Sequence, residues 1–320
     1  MTLYAGIDGG GSRTRVILLD PTTGAIARAE AGASNPNSVG AAAAVEHVMT
    51  AMSHALASLG KPRSEVRAIV AALAGVGRPE TAGAVRDLLS RHLPTASVEV
   101  IPDALAALAG GSGAEPGSVL VVGTGSVALA EGRGRRIVRA GGYGYLIGDE
   151  GSGFAIGRHG FRAVMQAYDG RGPETALTEA ACRRLGCGTA IDIVERIYGA
   201  EHPVGAVAAF AASVVRLRHE DGVAADIVRG AQAAHVRLVD SVRRQLGGDA
   251  TPTVVVTGGL YEGDPTLLAD LAASLPECSC RLPDQSAVEG AALLAMRAER
   301  QALSAADVAR WREIVGGEGQ

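Results

Sequence analysis

Lysine is nearly missing from this chain. Lys61 is the only one, although Lys and Arg together number 30 of the 320 residues. A P-loop needs a lysine directly after its last glycine, and a protein kinase needs one on a strand. Lys61 instead precedes Pro62 in a polar loop, so neither device can be built here. Aromatic residues make up only 3%, which leaves very few rings for a stacking platform. The four cysteines, Cys182, Cys187, Cys278 and Cys280, fit no zinc-binding spacing and read as reduced thiols. No apolar stretch reaches the roughly 18 residues of a membrane span without a charge or a turn. The sequence opens on a strand rather than on a charged segment and an apolar one before a cleavage site, so the expected compartment is the cytoplasm. A net charge of -4 and a pI near 6.0 argue against nucleic acid as the main partner.

What is present is glycine, 44 residues of it, placed in patterned stretches. Tyr4 to Leu19 reads YAGIDGGGSRTRVILL: an apolar run ending in an aspartate, three glycines, and a second apolar run. Two strands joined by a tight turn fit this pattern. Three consecutive glycines also strip side chains from the backbone N–H groups, so the turn reads equally as a plain hairpin or as a seat for a bulky anion.

The chain continues with a third strand over Gly24–Glu30, a polar loop over Gly32–Gly40 and a helix over Ala41–Leu59. A buried strand at Val66–Leu73, a helix at Pro79–His92, a strand at Val98–Ile101 and a small-residue helix opened by Pro102-Asp103 follow. From Ser118 the pattern restarts: SVLVVGTGSVALAEG is again strand, glycine turn, strand. Thr253–Gly263 repeats the strand-into-glycine theme of Ala68–Gly77, and Cys280–Ala295 mirrors Val100–Gly110. Gly75 to Gly258 and Pro102 to Pro283 are offset by nearly equal distances, whereas Gly9 to Gly123 is about 70 residues shorter, so the second copy carries a helical insertion between its hairpin and its late strands. Two such halves predict an α/β fold of duplicated domains facing each other across a ligand-binding cleft.

Two glycine turns, one per half, have the chemistry to hold a polyphosphate without lysine. Gly9, Gly10, Gly11 and Ser12 offer backbone donors, with Thr14 as a second hydroxyl; Gly123, Thr124, Gly125 and Ser126 offer the same set. Asp8 at the mouth of the first turn suits Mg²⁺, because a carboxylate beside phosphates needs a cation between them; a turn-stabilising role is the plainer reading. Asp103 has two readings: a helix N-cap, which its repeat partner Asp284 favours, or a base accepting a proton from an attacking hydroxyl. The segment Gly141–Phe154 holds six glycines, Tyr143, Tyr145 and the Asp149-Glu150 pair, a costly loop better suited to a ligand wall than to a connector. Asn35 and Asn37 carry groups that suit sugar hydroxyls, and Asn-Pro-Asn is also ordinary turn chemistry. The histidines fall singly and carry no expectation.

Together GIDGGGSRTR, IPDALAALAG, VVGTGS, GGYGYLIGDEGSGFAIG and VVVTGGL, in this order, resemble the N-acetylglucosamine kinase-like branch of the BadF/BadG/BcrA/BcrD ATPase family. The resemblance runs from Tyr4 to about Ala295 and is weakest over Arg171–Ala250. It implies two duplicated RNase H-like (actin-like ATPase) domains around a cleft: an N-terminal domain over residues 1–105, joined by a C-terminal helix over 303–320, and a C-terminal domain over 106–300 with the insertion. It implies an ATP-dependent kinase that phosphorylates the 6-hydroxyl of N-acetylglucosamine or glucosamine, with Asp103 as base and Asp8 on Mg²⁺. The two turns would take the ATP phosphates, and Gly258 and Gly259 the adenosine side. Asn35, Asp103, Gly142, Tyr143 and Asp149 would line the sugar site. Tyr143 stands where animal N-acetylglucosamine kinases have tryptophan, and Pro36-Asn37 replaces a stretch containing histidine and an aromatic residue, so both the acetylated and the free amine remain expected acceptors. The expected partners are the amino sugar and ATP, without nucleic acid or membrane, and a homodimer is open.

Two other classes compete. An ATPase activator of a 2-hydroxyacyl-CoA dehydratase would hold an iron–sulfur cluster by cysteine near the second turn, but no cysteine lies between Met1 and Ala181. A non-catalytic sugar or nucleotide sensor would tolerate a lost base or degraded turns, and here both turns, Asp8 and Asp103 are intact.

Overall fold

The computed structural model describes residues 2–300 and 303–316. The chain begins with an antiparallel meander, β1 (Leu3–Gly9), β2 (Thr14–Leu19) and β3 (Ile26–Ala31). The short α1 (Pro36–Val39) lies inside the stretch expected to be loop, and α2 (Ala41–Leu59) follows. Ala44, Val45, Val48, Met49, Met52 and Leu56 recur at helical spacing and form the buried face of α2 against β2 and β3. Gly60, in the left-handed region at φ 63°, ends it. Next come β4 (Val66–Leu73), α3 (Pro79–His92), β5 (Ser97–Pro102) and α4 (Asp103–Ser112). β4 runs parallel to β1 and β5 parallel to β4, giving a five-stranded sheet in the order β3-β2-β1-β4-β5. β1 and β4 are central, covered on both faces, and accordingly read as nearly unbroken apolar runs.

The second meander is β6 (Gly117–Val122), β7 (Ser126–Glu131) and β8 (Ile137–Gly141). Six helices follow: α5 (Gly153–Tyr168), α6 (Leu177–Leu185), α7 (Asp192–Tyr198), α8 (Pro203–Ala208), α9 (Ala211–Leu217) and α10 (Gly222–Leu246). Then come β9 (Thr253–Thr257), α11 (Gly259–Gly263), α12 (Pro265–Ser274) and β10 (Ser279–Arg281). The sheet order, β10-β9-β6-β7-β8, repeats the first sheet strand for strand, with the same parallel and antiparallel pairings. The extra helices enter between the third and fourth strands of this copy. The chain closes with α13 (Ala287–Arg300) and α14 (Ala305–Gly316).

Packing divides the chain into two compact units, residues 1–115 with 283–320 and residues 116–282. These borders differ from those expected at 105/106 and 300. The restart of the strand pattern marks where the second sheet begins, not where the first stops needing helices. α13 packs on β1, β4 and α4 and therefore completes the first unit. In α14, Trp311 is 1% exposed and Ile314 approaches Gly24, so this helix also belongs to the first unit. Residues 317–320 of the helix expected over 303–320 lie outside the described residues.

Glycines allow α13 to sit so close. A Cβ on Gly290 would lie 2.0 Å from the Ala106 carbonyl oxygen and 2.6 Å from the Gly110 nitrogen, both backbone atoms of α4. Gly290→Ala should therefore force the two helices apart and destabilise the protein by about 3 kcal/mol. Urea unfolding of the variant against the wild type measures this.

Candidate functional site

In the first unit β1, β4 and β5 are in register, with Gly9 opposite Leu73 and Leu73 opposite Pro102. Their carboxyl ends therefore finish along one edge, the edge where open α/β sheets hold ligands. Asp8, the turn Gly9–Ser12, Gly75 and Asp103 all lie there. Gly9 is glycine for an internal reason, since a Cβ would meet Ser34 Oγ at 2.0 Å and Leu73 Cδ2 at 2.4 Å. Gly11 has no such reason; a Cβ there would meet nothing within 4 Å. The Gly10 carbonyl accepts from the Ser34 and Asn35 amides at 3.0 and 3.2 Å, so the turn is tied inward by its oxygen. The amides of Gly11 and Ser12 donate to no protein group among the described residues, and both residues are exposed. An open pair of amides with no side chain over it can cradle an anion. Thr14 behaves otherwise. It is fully buried, and its hydroxyl is committed to the Gly32 carbonyl at 2.6 Å and to Ser34 Oγ at 2.8 Å. It latches the turn, and Ser12 is the hydroxyl exposed on it.

Asp8 is half-buried and pairs across the strands with Arg15 at 3.3 Å. Burial raises its pKa; Arg15 pulls it back down, and the nearby charge of Asp103 pushes it further up. Asp103 is exposed to solvent, yet the protein packed around it raises its pKa, against the pull of the Ala104 amide. It does not cap α4. Pro102 occupies the cap position, and Asp103 is the first helical residue, accepting from the Ala104 amide at 3.0 Å. The repeat partner Asp284 is no cap either: it pairs with Arg312 at 3.1 Å, three residues ahead of α13. Asn35 caps α1 by accepting from the Asn37 amide at 3.0 Å, and Asn37 reaches the Gly75 carbonyl at 3.2 Å.

The second unit repeats the device. The Gly123 and Thr124 carbonyls accept from the Gly153 and Phe154 amides at 2.8 and 3.2 Å, while the Thr124 and Gly125 amides donate to no protein group among the described residues. Ser126, at the start of β7 as Thr14 is at the start of β2, is buried and donates to the Glu150 carbonyl at 2.8 Å. Asp149, buried and at φ 57°, lies against this turn; a Cβ on Gly125 would be 2.7 Å from its Oδ2. Gly142, at φ 72°, is held by Arg139, whose guanidinium donates to the Gly141 and Gly142 carbonyls at 3.1 and 2.6 Å. Tyr143 is 65% exposed, and Leu146 and Ile147 more so, which sets this stretch apart from the buried core. Gly258, at φ 123°, follows β9 and presses on β6, where a Cβ would lie 2.0 Å from the Val122 oxygen; Gly259 opens α11 with space around it. Of the residues expected to meet sugar, Asn35 and Asp103 thus belong to the first unit, and Gly142, Tyr143 and Asp149 to the second.

Sequence reading missed His235. It is 3% exposed, with Nε2 2.9 Å from the Gly151 carbonyl and Nδ1 2.8 Å from the Tyr261 hydroxyl. On α10 it falls in the apolar stripe with Ala231, Ala234 and Leu238, and a polar residue in such a stripe is the only signal the sequence offered. Burial lowers its pKa from 6.5 to about 4. Between those values the unfolded chain binds a proton that the folded one refuses, so stability is full above pH 6.5 and is lost as the pH falls toward 4. Urea unfolding across this range should show a loss of about 3 kcal/mol that His235→Gln abolishes.

Among the described residues no group of three His, Cys, Asp or Glu is placed to hold a metal. Mg²⁺ fits this donor set, because it is commonly held by one or two carboxylates together with water and phosphate oxygens rather than by a protein cage. Asp8, with the Asp103 charge near it, is the group that would hold it. No helix among the described residues is long and apolar enough to cross a membrane.

The chain is 31% identical over 198 residues to the N-acetylmuramic acid/N-acetylglucosamine kinase of Clostridium acetobutylicum, covering 62% of this chain and 65% of that protein. It is 31% identical over 205 residues to the N-acetyl-D-glucosamine kinase of Dictyostelium discoideum, covering 61% and 64%. The matched stretch thus spans just under two thirds of these curated relatives. A crystal structure from Chromobacterium violaceum, provisionally described as an N-acetylglucosamine kinase, superposes with a TM-score of 0.69 at 26% identity, covering 92% of this chain and 99% of that one. The model of the BadF/BadG/BcrA/BcrD ATPase family matches residues 5–295. This chain belongs to the BadF/BadG/BcrA/BcrD ATPase family.

Proposed function

We propose that the protein is an ATP-dependent amino-sugar kinase that phosphorylates the 6-hydroxyl of N-acetylglucosamine or glucosamine, with Asp103 as general base. The observation that carries this reading is the pairing, on one sheet edge, of an open-amide glycine turn with two mutually repelling carboxylates, Asp8 and Asp103. An anion seat beside a base is what phosphoryl transfer asks of a protein, whose work is positioning and charge stabilisation. The names carried by the relatives support the same class of acceptor.

In this mechanism the open amides of Gly11 and Ser12, and those of Thr124 and Gly125, hold phosphate oxygens, while the Gly10 and Gly123 amides close their own turns on the Arg13 and Gly125 carbonyls; Gly258 and Gly259 admit the nucleoside. Asp8 would hold Mg²⁺, which neutralises phosphate charge when bound. Asn35, Gly142, Tyr143 and Asp149 orient the sugar. Asp103 takes the proton from the 6-hydroxyl as its oxygen bonds to the γ-phosphorus; the bond from that phosphorus to the bridging oxygen breaks, and ADP leaves. Thr14 and Ser126 contribute by fixing the turns. The cytoplasm, where ATP is plentiful, is the compartment that goes with this reading.

A coupled ADP-release assay over glucosamine, N-acetylglucosamine, N-acetylmuramate, N-acetylmannosamine and glucose should give turnover with one or both of the first two. Asp103→Asn should lower kcat by about a thousandfold while sugar binding, followed by calorimetry, persists. Full turnover in that variant would overturn the mechanism, and sugar binding without turnover in the wild type would favour a sensor. The base works only when deprotonated, so its raised pKa sets the direction of the pH profile: kcat/KM should climb with pH through a limb above the ordinary carboxylate value of 3.8, and this limb should vanish in Asp103→Asn.

A further inference from the structure

The His235 contacts form a chain with two ends. Tyr261 Oη, besides facing Nδ1, is 3.1 Å from Gln232 Oε1, and Gln232 Nε2 donates to the Leu267 carbonyl at 3.0 Å. Counting protons gives the chain a direction. A carbonyl only accepts, so the hydrogen toward Gly151 sits on Nε2 of His235. The neutral imidazole then has a lone pair on Nδ1, and Tyr261 must donate to it. The hydroxyl proton has two acceptors in reach, Nδ1 at 2.8 Å and Gln232 Oε1 at 3.1 Å, and the shorter contact, to the lone pair of the buried imidazole, takes it. The order is Tyr261 to His235 to Gly151.

Each end is anchored in a segment that faces ligand in the proposed function. Gly151 adopts φ 75°, and a Cβ there would lie 2.7 Å from His235 Nε2, so the loop presses directly on the ring. One residue earlier the Glu150 carbonyl receives the Ser126 latch, and Asp149 precedes it. At the other end the Tyr261 amide donates to the Gly258 carbonyl at 3.0 Å, within the first turn of α11. Tyr261 itself is 1% exposed, so neither aromatic group can leave the chain without opening the core.

We propose that His235 is a positioning residue that locks the 141–153 loop to the Gly258–Gly259 turn, so that a nucleotide seated on the turn stiffens the loop that meets the sugar. The identity of the two ligands rests on the kinase reading above; the lock does not. Its test is amide hydrogen exchange on the full-length protein with and without AMP-PNP. In the wild type the nucleotide should slow exchange over residues 149–154 by about fivefold or more, a common size for coupling between sites. Tyr261→Phe removes only the hydroxyl, and His235→Asn keeps a group near Tyr261 while losing the reach to Gly151. Each should reduce that slowing to less than about twofold and raise the sugar KM about fivefold with kcat little changed. Either variant alone is sufficient. Nucleotide protection of the loop at the wild-type level in the folded variants overturns the proposal. If AMP-PNP does not bind the wild type, the kinase reading fails, and the lock is judged without ligand: the loop amides must exchange faster in the variants, and equal rates overturn it.

Discussion

A backbone turn can hold an anion only when its amides face outward, and that requires its carbonyls to be occupied elsewhere. In this protein the requirement is met twice in the same way. The loop after the third strand sends two amides back to the turn carbonyls, from Ser34 and Asn35 in the first unit and from Gly153 and Phe154 in the second. A buried hydroxyl at the start of the second strand, Thr14 or Ser126, then holds that loop by a carbonyl. Each contact is an ordinary hydrogen bond of modest net value, but Thr14, Ser34 and Ser126 are themselves buried, and losing their partners would leave a polar atom stranded. The position of the glycine turn, the exposure of its amides and the place of the following helix all depend on this arrangement.

The duplication gives the arrangement its generality. The two copies differ in sequence over most of their length, and one carries six α-helices between its third and fourth strands where the other carries two, yet sheet order, pairing and the latch are kept. What varies is the material beside the latch. In the first unit it is the Asn35–Pro36–Asn37 turn stacked on Gly75; in the second it is the long glycine loop with its exposed Tyr143, Leu146 and Ile147. The constant part handles one chemistry and the variable part is free to differ.

Most strands and the longer helices were legible in the sequence because their signals are local: apolar periodicity, glycine after a strand, proline at a helix start. Val66–Leu73, Ala41–Leu59 and Pro79–His92 fall within those expected bounds. The repeat was legible too, since it needs only spacing. The roles of individual polar residues were less so. Thr14 and Ser126 read as phosphate hydroxyls until their burial and partners are seen, because a hydroxyl beside a glycine turn has the same sequence signature in either use. Asp103 and Asp284 share a sequence position but not an environment, one at the strand edge beside Asp8 and the other on Arg312. The domain borders and the His235 chain depend on residues brought together from distant parts of the chain, which no window of sequence contains.

One of those borders has a consequence for how the chain matures. The second unit is a single continuous stretch, residues 116–282, whereas the first is assembled from the two stretches that flank it. Tyr4 in β1 donates to Glu299 in α13, 295 residues away. Closing so long a loop costs entropy that must be met before the contact helps, so the face of β1 and β4 that α13 covers stays open until residues 287–300 exist. On the ribosome the middle of the protein is complete before the beginning is. The first glycine turn thus lies in a unit that is completed only after the second one, and any chain cut short before residue 287 carries an apolar β1–β4 surface that α13 does not cover.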